Sequence, residues 1–255
     1  MAISIKSPAE IELMRESCRI VSDVIKLVGT QIKPGVSTAQ LDMMAEDYIR
    51  SCKAEPAFKG YGSDPKNLFP ATLCISVDSE VVHGIPGKRV LRDGEIVSID
   101  VGAKKNGFFG DGAFTFPVGE VSEEKRRLMR VTKESLDRAV EQAVDGNRIG
   151  DIAHAVQSYV EAEGFSIVRD LVGHAVGREL HEDPQVPNYG KAGKGTVLKE
   201  GMTLAIEPMV NAGTFKVVTA ADRWTIVTYD GKPSAHFEYT VVVRKNRAEV
   251  LTIYN

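Results

Sequence analysis

Four acidic residues stand in stretches that are otherwise apolar. Asp100 closes Ile96-Val97-Ser98-Ile99, and Asp111 follows beyond Asn106-Gly107, a dipeptide that joins two strands in a tight hairpin. Glu207 lies in Thr203-Leu204-Ala205-Ile206-Glu207-Pro208-Met209, and Glu238 in Phe237-Glu238-Tyr239-Thr240-Val241-Val242-Val243. Side chains alternate along a strand, so Ser98 and Asp100 share one face while Val97, Ile99 and Val101 take the other. In the same way His236, Glu238 and Thr240 oppose Phe237, Tyr239 and Val241. Each acid sits on the polar side of a strand whose other side can enter a core. An unpaired buried carboxylate costs several kcal/mol, and the nearby bases do not supply four partners. Metal ions would.

Five histidines are present, and three fall in segments punctuated by glycine or proline. His83 lies in Val82-His83-Gly84-Ile85-Pro86, and His174 and His181 lie between Gly173 and Pro184. Histidines on constrained loops are typical of ligands and of general acid–base groups. His154, inside Ile152-Ala153-His154-Ala155-Val156, reads as an ordinary helix residue. His236 shares the face of Glu238 but reads first as a surface or packing residue.

The elements that must position these groups come in a repeated order. Ser7-Pro8-Ala9-Glu10 and Ser37-Thr38-Ala39-Gln40 are capping boxes, predicting a helix from residue 8 that ends before Lys33-Pro34-Gly35 and another over 38–52. Strands are expected at 73–77, 95–101 and 108–118, and helices again at 122–144 and 149–163. Further strands are expected at 166–171, 203–209, 224–229, 237–243 and 250–254. Leu91-Arg92-Asp93-Gly94-Glu95-Ile96-Val97-Ser98-Ile99-Asp100 aligns without gaps to Leu198-Lys199-Glu200-Gly201-Met202-Thr203-Leu204-Ala205-Ile206-Glu207, at a constant offset of 107. That period is too long for a solenoid. It fits one domain over 1–255 built of two related halves, roughly 1–120 and 121–255, with Asp100 and Glu207 in equivalent places.

Composition narrows the function classes. The 255 residues are 43% hydrophobic and 26% charged, ordinary for a soluble protein with a sizeable core. With 32 basic and 35 acidic residues the net charge is -3, which gives no electrostatic case for nucleic acid or an anionic membrane as partner. No apolar run approaches the roughly 20 residues that span a bilayer. The first residues, Met1 to Pro8, lack the layout of a signal peptide. Three cysteines (Cys18, Cys52, Cys74) without a CxxC argue against disulfide scaffolds and thiolate zinc, and for a reducing cytoplasm.

Taken in order, Val82-His83-Gly84-Ile85-Pro86, Ser98-Ile99-Asp100-Val101-Gly102, Gly110-Asp111, Gly173-His174-Ala175-Val176-Gly177, Ala205-Ile206-Glu207-Pro208-Met209-Val210 and Phe237-Glu238 closely resemble the type I methionine aminopeptidases. The resemblance covers nearly the whole chain, from the first helix to Val243. It implies the α+β pita-bread fold, with a dinuclear metal centre between two pseudo-two-fold halves. It implies Asp100, Asp111, His174, Glu207 and Glu238 as ligands, Asp111 and Glu238 shared by two divalent ions. An oxygen-rich set with one histidine suits Mn, Fe or Co and is compatible with Zn. His83 and His181 would hold the substrate and stabilise the reacting carbonyl, and Glu207 would also carry the proton from water to the leaving amine. Phe58, Tyr61, Phe69, Cys74, Leu180 and Trp224 would line a pocket for the methionine thioether.

The implied activity is removal of an N-terminal methionine from peptides and nascent chains whose second residue is small. It would be carried out in the cytoplasm by a monomer with transient ribosome contact. The chain's own Met1-Ala2 start satisfies that rule. Departures from the family pattern are Tyr239 where histidine is usual, His236 where glutamine is common, Gly112 where a hydroxyl residue is frequent, and a short insertion over 63–68 in the pocket loop. Only 25 residues separate His181 from Glu207, too few for the long insertion of the type II enzymes. Two rivals share the fold: a proline-directed peptidase, which usually carries a further N-terminal domain, and a binding protein that has lost its ligands.

Overall fold

Both capping boxes close. Ser7 N donates to Glu10 Oε2 at 2.8 Å and Ser37 N to Gln40 Oε1 at 2.9 Å, and each serine hydroxyl accepts from the main chain three residues on. They start α1 (Pro8–Gly29) and α2 (Thr38–Ser51). The computed structural model describes residues 3–254, so the reading of Met1-Ala2 lies outside the described residues. The first half continues with β1 (Glu55–Pro56), β2 (Leu73–Val77), β3 (Glu80–Val82), β4 (Ile96–Lys105) and β5 (Phe108–Pro117). The second half has α3 (Glu123–Gln142), α4 (Ile149–Ala162), β6 (Ser166–Ile167), β7 (Gly173–Ala175), β8 (Glu182–Val186), β9 (Thr203–Ile206) and β10 (Met209–Asn211). It ends with β11 (Val217–Thr219), β12 (Ile226–Thr228), β13 (Ser234–His236), β14 (Glu238–Val242) and β15 (Glu249–Val250). No described helix is long and apolar enough to cross a membrane.

A nine-stranded antiparallel sheet runs through both halves in the order β1-β4-β5-β14-β9-β7-β8, with β2 against β4 and β15 against β14. The apolar side of each strand faces helices. Val24, Leu41, Ile75 and Ile99 belong to the core under α1 and α2, while Leu128, Val156, Leu204 and Val241 belong to the core under α3 and α4. Phe114 and Tyr254 pack against both. Burial of these side chains, about 1.5–3 kcal/mol each, holds the two helix pairs on one face and leaves the other for the polar residues.

The repeat is visible in the backbone. Gly94 and Gly201, aligned in sequence, have φ of +87° and +88°, a region that favours glycine. Leu91 N donates to Val36 O at 2.8 Å and Leu198 N to Asn147 O at 2.7 Å; Gly94 N donates to Val118 O at 2.9 Å and Gly201 N to Val243 O at 3.0 Å. On this ground we propose that residues 1–255 form a single domain of two related halves.

Several expected strands differ. The run 203–209 is two strands: β9 ends at Ile206, and β10 starts at Met209 in a separate three-stranded sheet with β13 and β6. Pro208, lacking an N–H, cannot continue a central ladder. The strand expected at 166–171 is Ser166–Ile167 and that at 224–229 is Ile226–Thr228. Residues 251–254, expected in a strand, leave the ladder: Leu251 N still donates to Thr240 O on β14 at 2.9 Å, but Ile253 N donates to Ser22 Oγ on α1 at 2.9 Å. His174, expected on a loop, is the middle residue of β7.

Candidate active site

The register of the large sheet brings the acids together. Asp100 pairs with Ala113 across β4 and β5, and Ala113 pairs with Glu238 across β5 and β14. One row further, Gly102 pairs with Asp111, and Ala205 on β9 pairs with Thr240 on one side and His174 on the other. Residues two apart on a strand share a face. Asp100, Asp111, Glu238 and His174 therefore rise from one side of the sheet, opposite the helices. The positions between them are Gly102, Ala113 and Ala205, too small to fill the space above the strands. Glu207 leaves the end of β9 beside them, its carbonyl held by Asn188 Nδ2 at 3.0 Å.

One ligand atom each from Asp111, His174 and Glu238 lies within 4.8 Å of the others. His174 Nε2 is 3.5 Å from Glu207 Oε1 and 3.8 Å from Asp111 Oδ2. His174 Nδ1 is 3.0 Å from the Ala175 carbonyl, which can only accept, so Nδ1 carries the proton and the Nε2 lone pair faces the carboxylates. Asp100 Oδ1 and Glu238 Oε1 are buried without any hydrogen-bond partner. Among the described residues no lysine or arginine pairs with any of the four acids.

Electrostatics follow from that burial. Desolvation pushes the Asp100 carboxyl up to about 7 and Glu207 up to about 8. Asp111 and Glu238 are driven well above the usual carboxylate range by burial and by each other's company with Asp100 and Glu207. Burial, with His181 adjacent, pulls His174 down to about 3, and burial with His236 and His181 nearby pulls His83 down to about 4. Without a cation Asp111, Glu207 and Glu238 favour their protonated forms at pH 7, Asp100 is near its midpoint, and His83 and His174 are neutral. Four carboxylates, orphaned oxygens and one oriented imidazole are the donor set of a divalent-cation site, and they fit one.

Above this floor is a cavity of about 200 Å³. Its lining contains Asp100, Asp111, His174, Glu207 and Glu238 together with His83, His181, Phe58, Tyr61, Phe69, Cys74, Leu180 and Trp224. Every residue singled out from the sequence for the site meets in this one space. Phe58, Phe69, Cys74 and Leu180 are buried in a common cluster, against which Trp224 packs. The Phe69 and Trp224 rings meet edge to face at 5.3 Å. Tyr61, 42% exposed, stands at the rim, its hydroxyl 2.7 Å from His181 Nδ1. Burial raises the Cys74 thiol well above its ordinary value, so it acts as an apolar wall.

His236 is a correction. Its ring is buried rather than at the surface, and Nε2 lies 3.5 Å from Glu207 Oε2, so it stands behind a site carboxylate rather than filling a core. Thr115 Oγ1 bridges its main chain, accepting from His236 N at 3.0 Å and donating to His236 O at 2.7 Å. The strand alternation that put it on the face of Glu238 was the signal. Thr240 went unremarked as a site residue; its hydroxyl bonds Asp111 N at 3.2 Å and Asp111 O at 2.8 Å. His154 is exposed on α4, remote from the cavity lining.

The sequence profile of metallopeptidase family M24 matches residues 12–245. The chain belongs to family M24, among its methionine aminopeptidases. It is 52% identical to the methionine aminopeptidase of Clostridium acetobutylicum over 98% of this chain and 99% of that one. It is also 52% identical to methionine aminopeptidase 1 of Bacillus subtilis, over 97% and 98% of the two chains. The crystal structure of a Thermotoga maritima methionine aminopeptidase superposes with a TM-score of 0.95 at 47% identity, covering 98% of this chain and 99% of that one. The prolidase of Pyrococcus furiosus shares the fold at a TM-score of 0.78 and 26% identity, but this chain covers only 66% of it. The chain is a metallopeptidase of pita-bread fold, and the acid and histidine cluster is in keeping with divalent-metal use.

Proposed function

We propose that this enzyme removes the N-terminal methionine of peptides and nascent chains when the second residue is small, using two divalent ions, Mn, Fe or Co before Zn, held by Asp100, Asp111, His174, Glu207 and Glu238. The observation that carries the reading is the shared cavity: four acids and His174 on its floor, and an apolar wall of Phe58, Phe69, Cys74, Leu180 and Trp224 beside them. Its small volume suits one side chain and the peptide group that follows, not an extended ligand. We place the activity in the cytoplasm, in a monomer that meets the ribosome transiently.

Asp111 and Glu238 would be shared by the two ions, Asp100 would complete one site, and His174 with Glu207 would complete the other. Ions bound there supply Lewis acidity, activating water and polarising the scissile carbonyl. The residues of the chain do the rest. Glu207 faces the cavity and is a carboxylate once the site is loaded; it takes the proton of the attacking water and returns it to the leaving amine. His181, whose Nδ1 lies 2.7 Å from the Tyr61 hydroxyl, offers a ring N–H to the oxygen that gains charge. His83, whose ring meets Trp224 edge to face at 6.4 Å, joins the methionine pocket to the space for the second side chain.

A matched series, Met-Ala-Ser, Met-Lys-Ser, Leu-Ala-Ser and Ala-Pro-Ser, assayed with added Mn²⁺ tests this. Only the first should be cleaved well, because replacing methionine by a poorer-fitting side chain forfeits about 1–3 kcal/mol of packing. Comparable turnover of the lysine or leucine peptide, or preference for the proline peptide, would overturn the specificity.

A further inference from the structure

The end of the chain is tied to the rear of the metal-site strands. Leu251 N donates to Thr240 O at 2.9 Å, Thr240 N donates to Thr252 Oγ1 at 3.0 Å, and Ile253 N reaches Ser22 Oγ on α1. These bonds deliver the Tyr254 ring to the seam between the two cores, 5.4 Å from the Tyr239 ring and 5.8 Å from Phe114. The Tyr254 hydroxyl donates to the main-chain carbonyl of Glu238 at 3.0 Å. It also fills the space that a side chain at residue 112 would take: a Cβ built on Gly112 would lie 1.9 Å from the phenolic oxygen. Gly112 follows Asp111 directly. One hydroxyl thus sits between the main chains that carry Asp111 and Glu238, on the face of the sheet away from the cavity. Thr240, bonded to both the strap and Asp111, closes the circuit.

We propose that Tyr254 is a positioning residue for the metal site, its phenol wedged over Gly112 and clasped by Leu251–Ile253 so that β5 and β14 hold the Asp111 and Glu238 carboxylates at the spacing that binds cations. This rests on the ligand reading above and assigns the C-terminal segment a part in it. Ligand positions matter to a few tenths of an ångström, so a partner one step behind the ligands is felt in affinity.

The test is calorimetric titration of the metal-free full-length chain with Mn²⁺, supported by the visible absorption of the Co²⁺-loaded enzyme. Tyr254→Phe keeps the ring and removes the hydroxyl. It should weaken Mn²⁺ binding by about tenfold or more, change the Co²⁺ band, and move the metal-free melting midpoint by only a few degrees. Gly112→Ala should weaken binding in the wild-type chain and cost much less in Tyr254→Ala, where only Val21 Cγ1, 3.1 Å from the methyl, still has to give; this pair decides the matter if Tyr254→Phe folds poorly. Wild-type affinity in Tyr254→Phe, or an equal cost of Gly112→Ala in both backgrounds, overturns the strap. Binding lost in Asp111→Asn but untouched by Tyr254→Phe sinks the strap alone, whereas a wild-type chain that binds no Mn²⁺ sinks the ligand reading with it.

Discussion

Raising the pH should loosen the metal-free protein. Asp100 is lifted by burial from 3.8 to about 7 and Glu207 from 4.5 to about 8, so between those limits the folded chain holds protons that the unfolded chain has released. Stability then falls as pH rises. The histidines act in the opposite sense: His83 and His174, drawn down from 6.5, make the fold more stable as pH rises through 6.5, with a slope that fades within about one pH unit above it. The carboxylates therefore govern the window from about pH 6.5 to 8. Across it Asp100 and Glu207 together forfeit about 2 kcal/mol, at about 1.4 kcal/mol per proton per pH unit, and Asp111 and Glu238, raised by the same burial, act in the same direction. For a chain of this size that is a fall of roughly 4–8 °C in melting midpoint. Scanning calorimetry of the chelator-treated protein at pH 6.5, 7.25 and 8 measures it. Glu207→Gln should remove part of the slope, and saturating Mn²⁺, which binds the deprotonated acids, should raise the midpoint most at pH 8. A midpoint that is level or rising over this window, or a full slope retained by Glu207→Gln, would refute the reasoning.

Asp111→Asn should nearly abolish hydrolysis and lower Mn²⁺ affinity by more than the roughly 10–100-fold that loss of an outer partner costs; near-normal turnover in modest metal excess would contradict its shared position. His181→Ala should reduce kcat by about 10²–10³ with Mn²⁺ affinity unchanged, and loss of metal instead would make it a ligand. Gly102→Ala places a methyl 2.8 Å from Phe58 Cε1 and Ala57 Cβ, driving the Phe58 ring toward the cavity. Such overpacking costs about 1–3 kcal/mol, and steady-state kinetics should show it as a raised KM for methionyl peptides with kcat little changed.

The carboxylates were readable because strand alternation is local: a lone acid whose strand neighbours are Val, Ile or Phe declares which face it takes. Resemblance added the pocket, whose members are scattered from Phe58 to Trp224 and meet only through the fold. What stayed hidden depends on tertiary pairing. β7 and β8 contain Gly173, His174, Glu182, Asp183, Pro184 and Gln185, none a good strand former, and are strands because neighbours supply their hydrogen bonds. Pro208 was a legible stop signal for β9 that the apolar run around it obscured. Gly112 and Tyr239 stood out as departures, but the neighbour they share, Tyr254, lies far along the chain and packs against both only through the fold.

The site straddles the seam of the molecule. Asp100 and Asp111 come from the first half, and His174, Glu207 and Glu238 from the second, so cations held as proposed above by all five side chains would act as staples across it. A staple between distant parts of a chain limits how far its ends can separate on partial opening, as a cross-link does in an unfolded ensemble. Loss of metal would then be felt well beyond the active site, as independent breathing of two helix pairs that otherwise open together.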